Sequence, residues 1–154
     1  NKTASLLASA CAAGAWSTSL DKAITEKMAL FGEKTGTAFQ IKDDLFDYAS
    51  EKIGKPTGND IKEKKLTLPI IYTLNNINRS DRRQMIRIIK HANRDAEKVK
   101  WVIQKVEETG GISYAKEKMN AYKTEALQTL HEFPESPIRK GLEDLVLFVT
   151  ERKY

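Results

Sequence analysis

Three aspartates and a glutamine in the segment Ala38-Phe39-Gln40-Ile41-Lys42-Asp43-Asp44-Leu45-Phe46-Asp47-Tyr48 carry the first chemical signal. On a helix, residues three and four apart are neighbours, so Gln40, Asp43, Asp44 and Asp47 form one polar stripe. Phe39, Ile41, Leu45, Phe46 and Tyr48 surround that stripe with apolar surface. Carboxylates crowded in this way repel one another and gain nothing from apolar neighbours. A divalent cation removes the conflict. Carboxylate oxygens suit Mg2+, which keeps several waters and takes one or two protein carboxylates together with substrate phosphates. Behind the aspartates come Lys52, Lys55, Lys62, Lys64 and Lys65. Carboxylates that grip a metal and lysines that grip phosphate oxygens together describe a metal–diphosphate site. The plainer alternative is a solvated charged face followed by an exposed loop.

The elements that must position these residues read as helices throughout. Residues 2–16 form a helix of small residues, rich in Ala and Ser, that permits close approach of a neighbour. Thr18-Ser19-Leu20-Asp21 offers a capping signal for a long helix running to about Ala49. Gly32 and Gly36 lie one turn apart in that helix, and each weakens it by about 1 kcal/mol relative to Ala. Close packing on another helix, or a kink, is the expected compensation. Residues 50–66, with Gly54, Pro56 and Gly58, have no helical period and are expected to be loop.

Further along, Pro69 suits the first turn of a helix through Ile77. Ser80-Asp81 starts the next, and Asp95–Thr109 follows it, stopping at Gly110-Gly111. Ser113–Phe133 is amphipathic, and Ser136-Pro137 opens the last helix. No stretch alternates apolar and polar residues as a strand would, so the expected class is all-α, with residues 1–154 in one domain. No internal repeat or low-complexity linker is visible.

The flanks of the acidic stripe give it a context. Phe39-Gln40-Ile41-Lys42-Asp43-Asp44-Leu45-Phe46-Asp47 resembles the FQxxDDxxD motif of the trans-polyprenyl diphosphate synthases. Gly54-Lys55-Pro56-Thr57-Gly58-Asn59-Asp60 resembles their GKxxGxD segment, and Lys65-Leu66-Thr67-Leu68-Pro69 their KxTLP. Lys2-Thr3-Ala4 is similar to the KT motif that opens a helix on the same cavity. Four motifs in the family's order make the resemblance specific over residues 2 to about 75. Lys64 departs from it, standing where family members often have Gly. The TLP variant is more similar to the longer-chain bacterial, octaprenyl-type enzymes than to farnesyl-type ones.

The resemblance implies the carboxyl-terminal half of a helical bundle of the isoprenoid synthase type, with Mg2+ as cofactor. It implies that Asp43, supported by Asp44 and Asp47, holds the metal against an allylic diphosphate. Lys2 and Lys55 would bind that diphosphate, with Thr3 and Gln40 assisting; Lys65 and Asp60 would order the loop or approach the phosphates. Lys2, Asp43 and Lys55 are therefore the expected catalytic residues. The implied reaction is condensation of isopentenyl diphosphate with the allylic diphosphate.

The family's first aspartate-rich motif has no counterpart here. Glu143-Asp144 lies among apolar residues, Asp81 is expected to be a cap, and Arg152-Lys153 reads as an exposed basic tail. The chain also opens on Asn1 rather than Met, as a fragment would. Alone it is expected to be inactive. The small-residue helix and the glycine-notched face are expected to need missing helices, supplied by self-association (a homodimer) or by the absent half.

Composition agrees with an ordinary water-exposed domain, at 40% apolar and 31% charged residues. Cys11 is the only cysteine, which excludes an internal disulfide and a cysteine-based zinc site; a reducing, cytoplasmic setting is expected. The apolar run after Lys2 imitates a secretory signal but is too short to cross a bilayer. A non-catalytic helical interaction or regulatory module that kept the fold is the competing reading. A nucleic-acid-binding role would need a clustered basic face. The interleaved acids along residues 95–125 count against it, and no nucleic-acid partner is expected.

Overall fold

A computed structural model describes residues 2–48 and 58–152. Among these residues there are eight helices and no strand: α1 (Lys2–Ser19), α2 (Lys22–Phe46), α3 (Asn59–Lys62), α4 (Leu68–Asn76), α5 (Arg79–His91), α6 (Ala96–Glu108), α7 (Gly111–His131) and α8 (Pro137–Glu151). The all-α expectation holds. None of the described helices is long and apolar enough to cross a membrane. The chain divides into two compact units, one from Asn1–Lys42 and Lys118–Lys153, the other from Asp43–Glu117.

The first unit contains α1, most of α2 and α7, and α8. Helix α1 ends before Leu20 (φ 51), and Asp21 starts the long helix, its Oδ1 accepting the amides of Ala23 at 2.8 Å and Ile24 at 3.3 Å. Phe31, Ala126, Leu130 and Val146 form the core, with Cys11, Met28, Leu127 and Leu142 packed against it. Burial in that setting pushes the Cys11 thiol above its ordinary value. Lys27–Glu132 and Lys34–Glu125, each at 2.6 Å, tie α2 to α7 along the rim.

The two glycines of α2 find their compensation inside the chain. A Cβ on Gly32 would lie 2.5 Å from the Leu7 carbonyl oxygen, and one on Gly36 would lie 2.7 Å from the Ala4 Cα. The notched face of α2 thus packs on α1 itself. This corrects the expectation that both would pack on helices outside the chain; small residues on both partners let the two backbones meet directly.

The second unit packs α4, α5 and α6 around Ile61, Ile70, Met85, Ile88, Ile89, Val99, Val102 and Val106, with Tyr48 buried at its margin. Two helix starts differ from the sequence expectation. Asn78, rather than Ser80-Asp81, caps α5 by accepting the Asp81 amide at 2.9 Å. Asp81 is no cap, and its carboxylate faces Lys105 at 3.7 Å. Helix α7 begins at Gly111, immediately after Gly110 (φ 77) turns the chain. Residues 59–62, expected as loop, form the one-turn helix α3. A single turn shows no period, and its support comes from a distant residue.

Candidate functional site

In the first unit, Lys2 opens α1 with an exposed side chain, and Thr3 Oγ1 donates to Gln40 Oε1 at 3.2 Å. The close approach of Ala4 to Gly36 brings those side chains within reach. Phe39, beside Gln40, carries the Arg152 guanidinium over its ring at 4.8 Å from the centroid. Arg152 is therefore a packed, half-buried residue and not the exposed terminal charge expected from its place in the sequence.

In the second unit, Asp43 and Asp44 sit in the last turn of α2, both half-buried, and the helix ends at Phe46. Asp47 lies just beyond the end and holds the start of α3. Its Oδ1 accepts the Asn59 amide at 2.7 Å, its Oδ2 the Asp60 amide at 3.0 Å, and its backbone oxygen the Gly58 amide at 3.1 Å. Three consecutive amides thus converge on one residue. Gly58 can supply the first because it adopts φ 78, where a Cβ would also strike Val99 Cγ1 at 2.6 Å. Partial burial pushes the Asp47 carboxyl above its ordinary value, while the two amide hydrogen bonds pull the other way.

Replacing Asp47 by Ala strands the Asn59 and Asp60 amides. Hydrogen bonds to a charged acceptor contribute about 1.5–3 kcal/mol each, less where solvent can substitute. We expect a loss of about 2 kcal/mol in urea unfolding, and a smaller one for Asp47→Asn, which keeps one acceptor oxygen. An unchanged midpoint for Asp47→Ala would mean that water replaces the clamp at no cost.

Lys65 pairs with Glu63 at 2.7 Å and Asp60 at 3.1 Å, and those carboxylates hold its ammonium pKa above the ordinary value. The Lys65 amide also donates to the Asp60 carbonyl at 2.8 Å. Here Lys65 and Asp60 close the turn after α3. Next to them, the buried Tyr48 hydroxyl and Thr67 Oγ1 share a hydrogen bond of 3.0 Å. Lys55, with the rest of residues 49–57, lies outside the described residues.

Lys64 adopts φ 59, in the left-handed region. That conformation costs a non-glycine residue about 1–2 kcal/mol, a physical reason for glycine at this position. Lys64→Gly should therefore stabilise the chain, by about 0.5–1 kcal/mol once the greater freedom of unfolded glycine is counted. A thermal melt checks this; a lower midpoint would show that the lysine side chain contributes more than the strain costs.

Among the described residues no group of three His, Cys, Asp or Glu side chains is placed to hold a metal by itself. The carboxylates on hand are those of Asp43 and Asp44 together with Asp47, whose two oxygens each accept one amide and keep a further lone pair. Such a set fits Mg2+, whose remaining positions are taken by water and phosphate oxygens. Sequence reasoning missed the role of Asp47 as a clamp and the packing of Arg152 on Phe39. The DDxxD spacing could have hinted at the first, since its last aspartate falls at the helix end.

The described residues define an all-helical protein whose aspartate-rich helix end is clamped to the start of α3. Comparison with known proteins makes the assignment specific. The family described as polyprenyl synthetase matches residues 1–106, and the chain belongs to that family. Solanesyl diphosphate synthase 1, chloroplastic, of Arabidopsis thaliana is 35% identical over 98% of this chain and 36% of its own length. The structure of geranylgeranyl pyrophosphate synthase from Bacteroides thetaiotaomicron superimposes with a TM-score of 0.88 at 36% identity, covering 97% of this chain and 50% of that one. A decaprenyl diphosphate synthase from Rhodobacter capsulatus gives a TM-score of 0.90 at 29% identity, covering 99% and 48%. The fold is therefore that of the isoprenyl diphosphate synthases, and the chain spans half or less of the length of these relatives.

Proposed function

We propose that this chain is the carboxyl-terminal part of a Mg2+-dependent trans-prenyltransferase that condenses isopentenyl diphosphate with an allylic prenyl diphosphate. The observation that carries the reading is the fixing of Asp47 to Asn59 and Asp60, which joins the aspartate-rich motif to the GxD segment. In this reading Asp43 and Asp44 face the metal, and Asp47 supports them through the backbone of α3. Lys2 and Lys55 bind the allylic diphosphate, Thr3 and Gln40 assist, and Lys65 orders the loop with Asp60.

The reaction begins with loss of diphosphate from the allylic substrate, leaving a carbocation. The double bond of isopentenyl diphosphate attacks that cation, and a proton then leaves to restore the alkene. Bound Mg2+ supplies charge neutralisation of the departing diphosphate. The lysines add fixed positive charge where negative charge develops, and apolar helical walls exclude water from the cation. The KxTLP variant supports a longer-chain product, and a cytoplasmic setting accords with a single free thiol. A homodimer, or association with a companion half bearing the first aspartate-rich motif, completes the active protein. The 154-residue chain alone has negligible turnover.

Calorimetric titration with farnesyl diphosphate tests the reading. Binding should need Mg2+ and disappear with EDTA, and turnover should appear only when the companion half is present. Equal binding with and without Mg2+ would sink the metal assignment, and product formation by the chain alone would sink the half-site assignment.

A further inference from the structure

The chain's entire net charge lies in one short stretch. Residues 79–100 hold eight basic residues against three acidic ones, and the rest of the chain is balanced at 18 of each sign, giving the overall +5. In the folded second unit this stretch is α5 and the start of α6, and a groove of about 790 Å3 runs between them. Ser80, Arg83, Gln84 and Arg87 line it from α5, at positions three and four apart on one face. Lys98 lines it from α6, and the buried Ile88 lies at its base.

Of the nearby acids, Asp95 pairs with the groove's own Lys98 at 2.8 Å, and Asp81 faces Lys105 outside the lining at 3.7 Å. Among the described residues neither Arg83 nor Arg87 has a carboxylate partner within ion-pair distance. Two guanidinium forks one turn apart, with the Gln84 amide between them and the Ser80 hydroxyl one turn before, match the oxygens of a phosphate group. The apolar base adds contact for an alkyl or prenyl tail.

We propose that the α5–α6 groove is a second anion-binding site, which takes the phosphate or diphosphate group of a ligand on Arg83 and Arg87 without a metal. None of its residues belongs to the aspartate motifs, so the site stands apart from the prenyltransferase reading. A soluble diphosphate and an anionic lipid headgroup present the same chemistry to it.

The test uses the full chain in EDTA, which silences any magnesium-dependent site. Inorganic diphosphate is titrated while the Nε–Hε resonances of Arg83 and Arg87 are followed by NMR. In parallel, co-sedimentation is measured with phosphatidylglycerol vesicles and with phosphatidylcholine vesicles. Arg83→Gln/Arg87→Gln removes the groove pair; Arg79→Gln/Lys90→Gln makes the same charge change elsewhere on α5. All four residues are exposed, and circular dichroism confirms that both variants fold.

Saturable shifts with diphosphate, weakened about tenfold by the groove variant and less than about twofold by the other, support a soluble phosphate ligand. Phosphatidylglycerol binding with the same variant pattern, and no saturation by free diphosphate, supports a lipid headgroup. Equal losses for the two variants would reduce the groove to diffuse surface charge, and absence of binding in both arms would overturn the proposal.

Discussion

Asp43→Ala with Asp44→Ala, made in the full-length protein, is expected to lower turnover by about 10³-fold or more while leaving the fold intact. In the proposed reaction charge develops on the departing diphosphate, and a metal held there would contribute only as long as its carboxylates hold it. Removing one transition-state donor in a water-excluded site already costs about 10²–10³-fold, and this double change removes two of the carboxylates proposed to hold the metal. The clamp is untouched, because Asp47 alone accepts the amides of Asn59 and Asp60. The discriminating readout is the magnesium dependence: the variant should need far more Mg2+ for half-maximal diphosphate binding. An unchanged Mg2+ requirement with reduced turnover would mean that the two aspartates act through something other than the metal.

The second large effect concerns α1. A methyl group on Gly32 would meet the Leu7 carbonyl oxygen at 2.5 Å and the Ala8 Cα at 2.9 Å; on Gly36 it would meet the Ala4 Cα at 2.7 Å. These are backbone atoms, so no rotamer change relieves the clash and the helices must separate. Overpacking of this kind costs about 1–3 kcal/mol per site. Helix α1 has little to resist it, because Ala4 is its only buried residue. We expect Gly32→Ala/Gly36→Ala to lose about 3 kcal/mol or more and to release α1 from α2. Amide exchange across residues 4–15 should rise well before global unfolding, and the Thr3–Gln40 hydrogen bond should be lost. Gly14→Ala is the control. Nothing lies within 4 Å of its added methyl, so it should stabilise α1 by about 0.5–1 kcal/mol. Equal protection of α1 in all three proteins would show that the helix pair tolerates a wider spacing.

The pair of glycines illustrates where sequence reading stops. Their spacing announced close packing, since two helix-weakening residues one turn apart need compensation. It did not name the partner, and absent helices were expected where α1 provides the surface. A notch records the size of what fits it and not the identity, and α1 shares the same small-residue composition with many helices.

The acidic segment divides in the same way. Residue types and helical periodicity were enough to put Gln40, Asp43 and Asp44 on α2, and to make phosphate and a hard metal the natural partners. Asp47 looked equivalent to the other two. Its distinct part follows from falling one residue past the helix end, where both its oxygens meet amides from residues 59 and 60. Helix α3 was invisible for the same reason: four residues carry no period, and the group that caps them is 12 positions upstream. Lys64 read as a harmless departure until its φ of 59 placed it in the left-handed region that favours glycine.

The sequence by itself determined the all-helical class, most helix starts and the family to which the chain belongs. Those depend on local periodicity, capping residues and side-chain type, which are properties of neighbours along the chain. Only the tertiary structure decided that α1 fills the glycine notch, that Asp47 clamps α3, that Arg152 lies on Phe39, and that the unpaired arginines of α5 line a groove. Each of these joins residues far apart in sequence, and the energy that selects them comes from close packing and from hydrogen bonds whose partners no local pattern specifies.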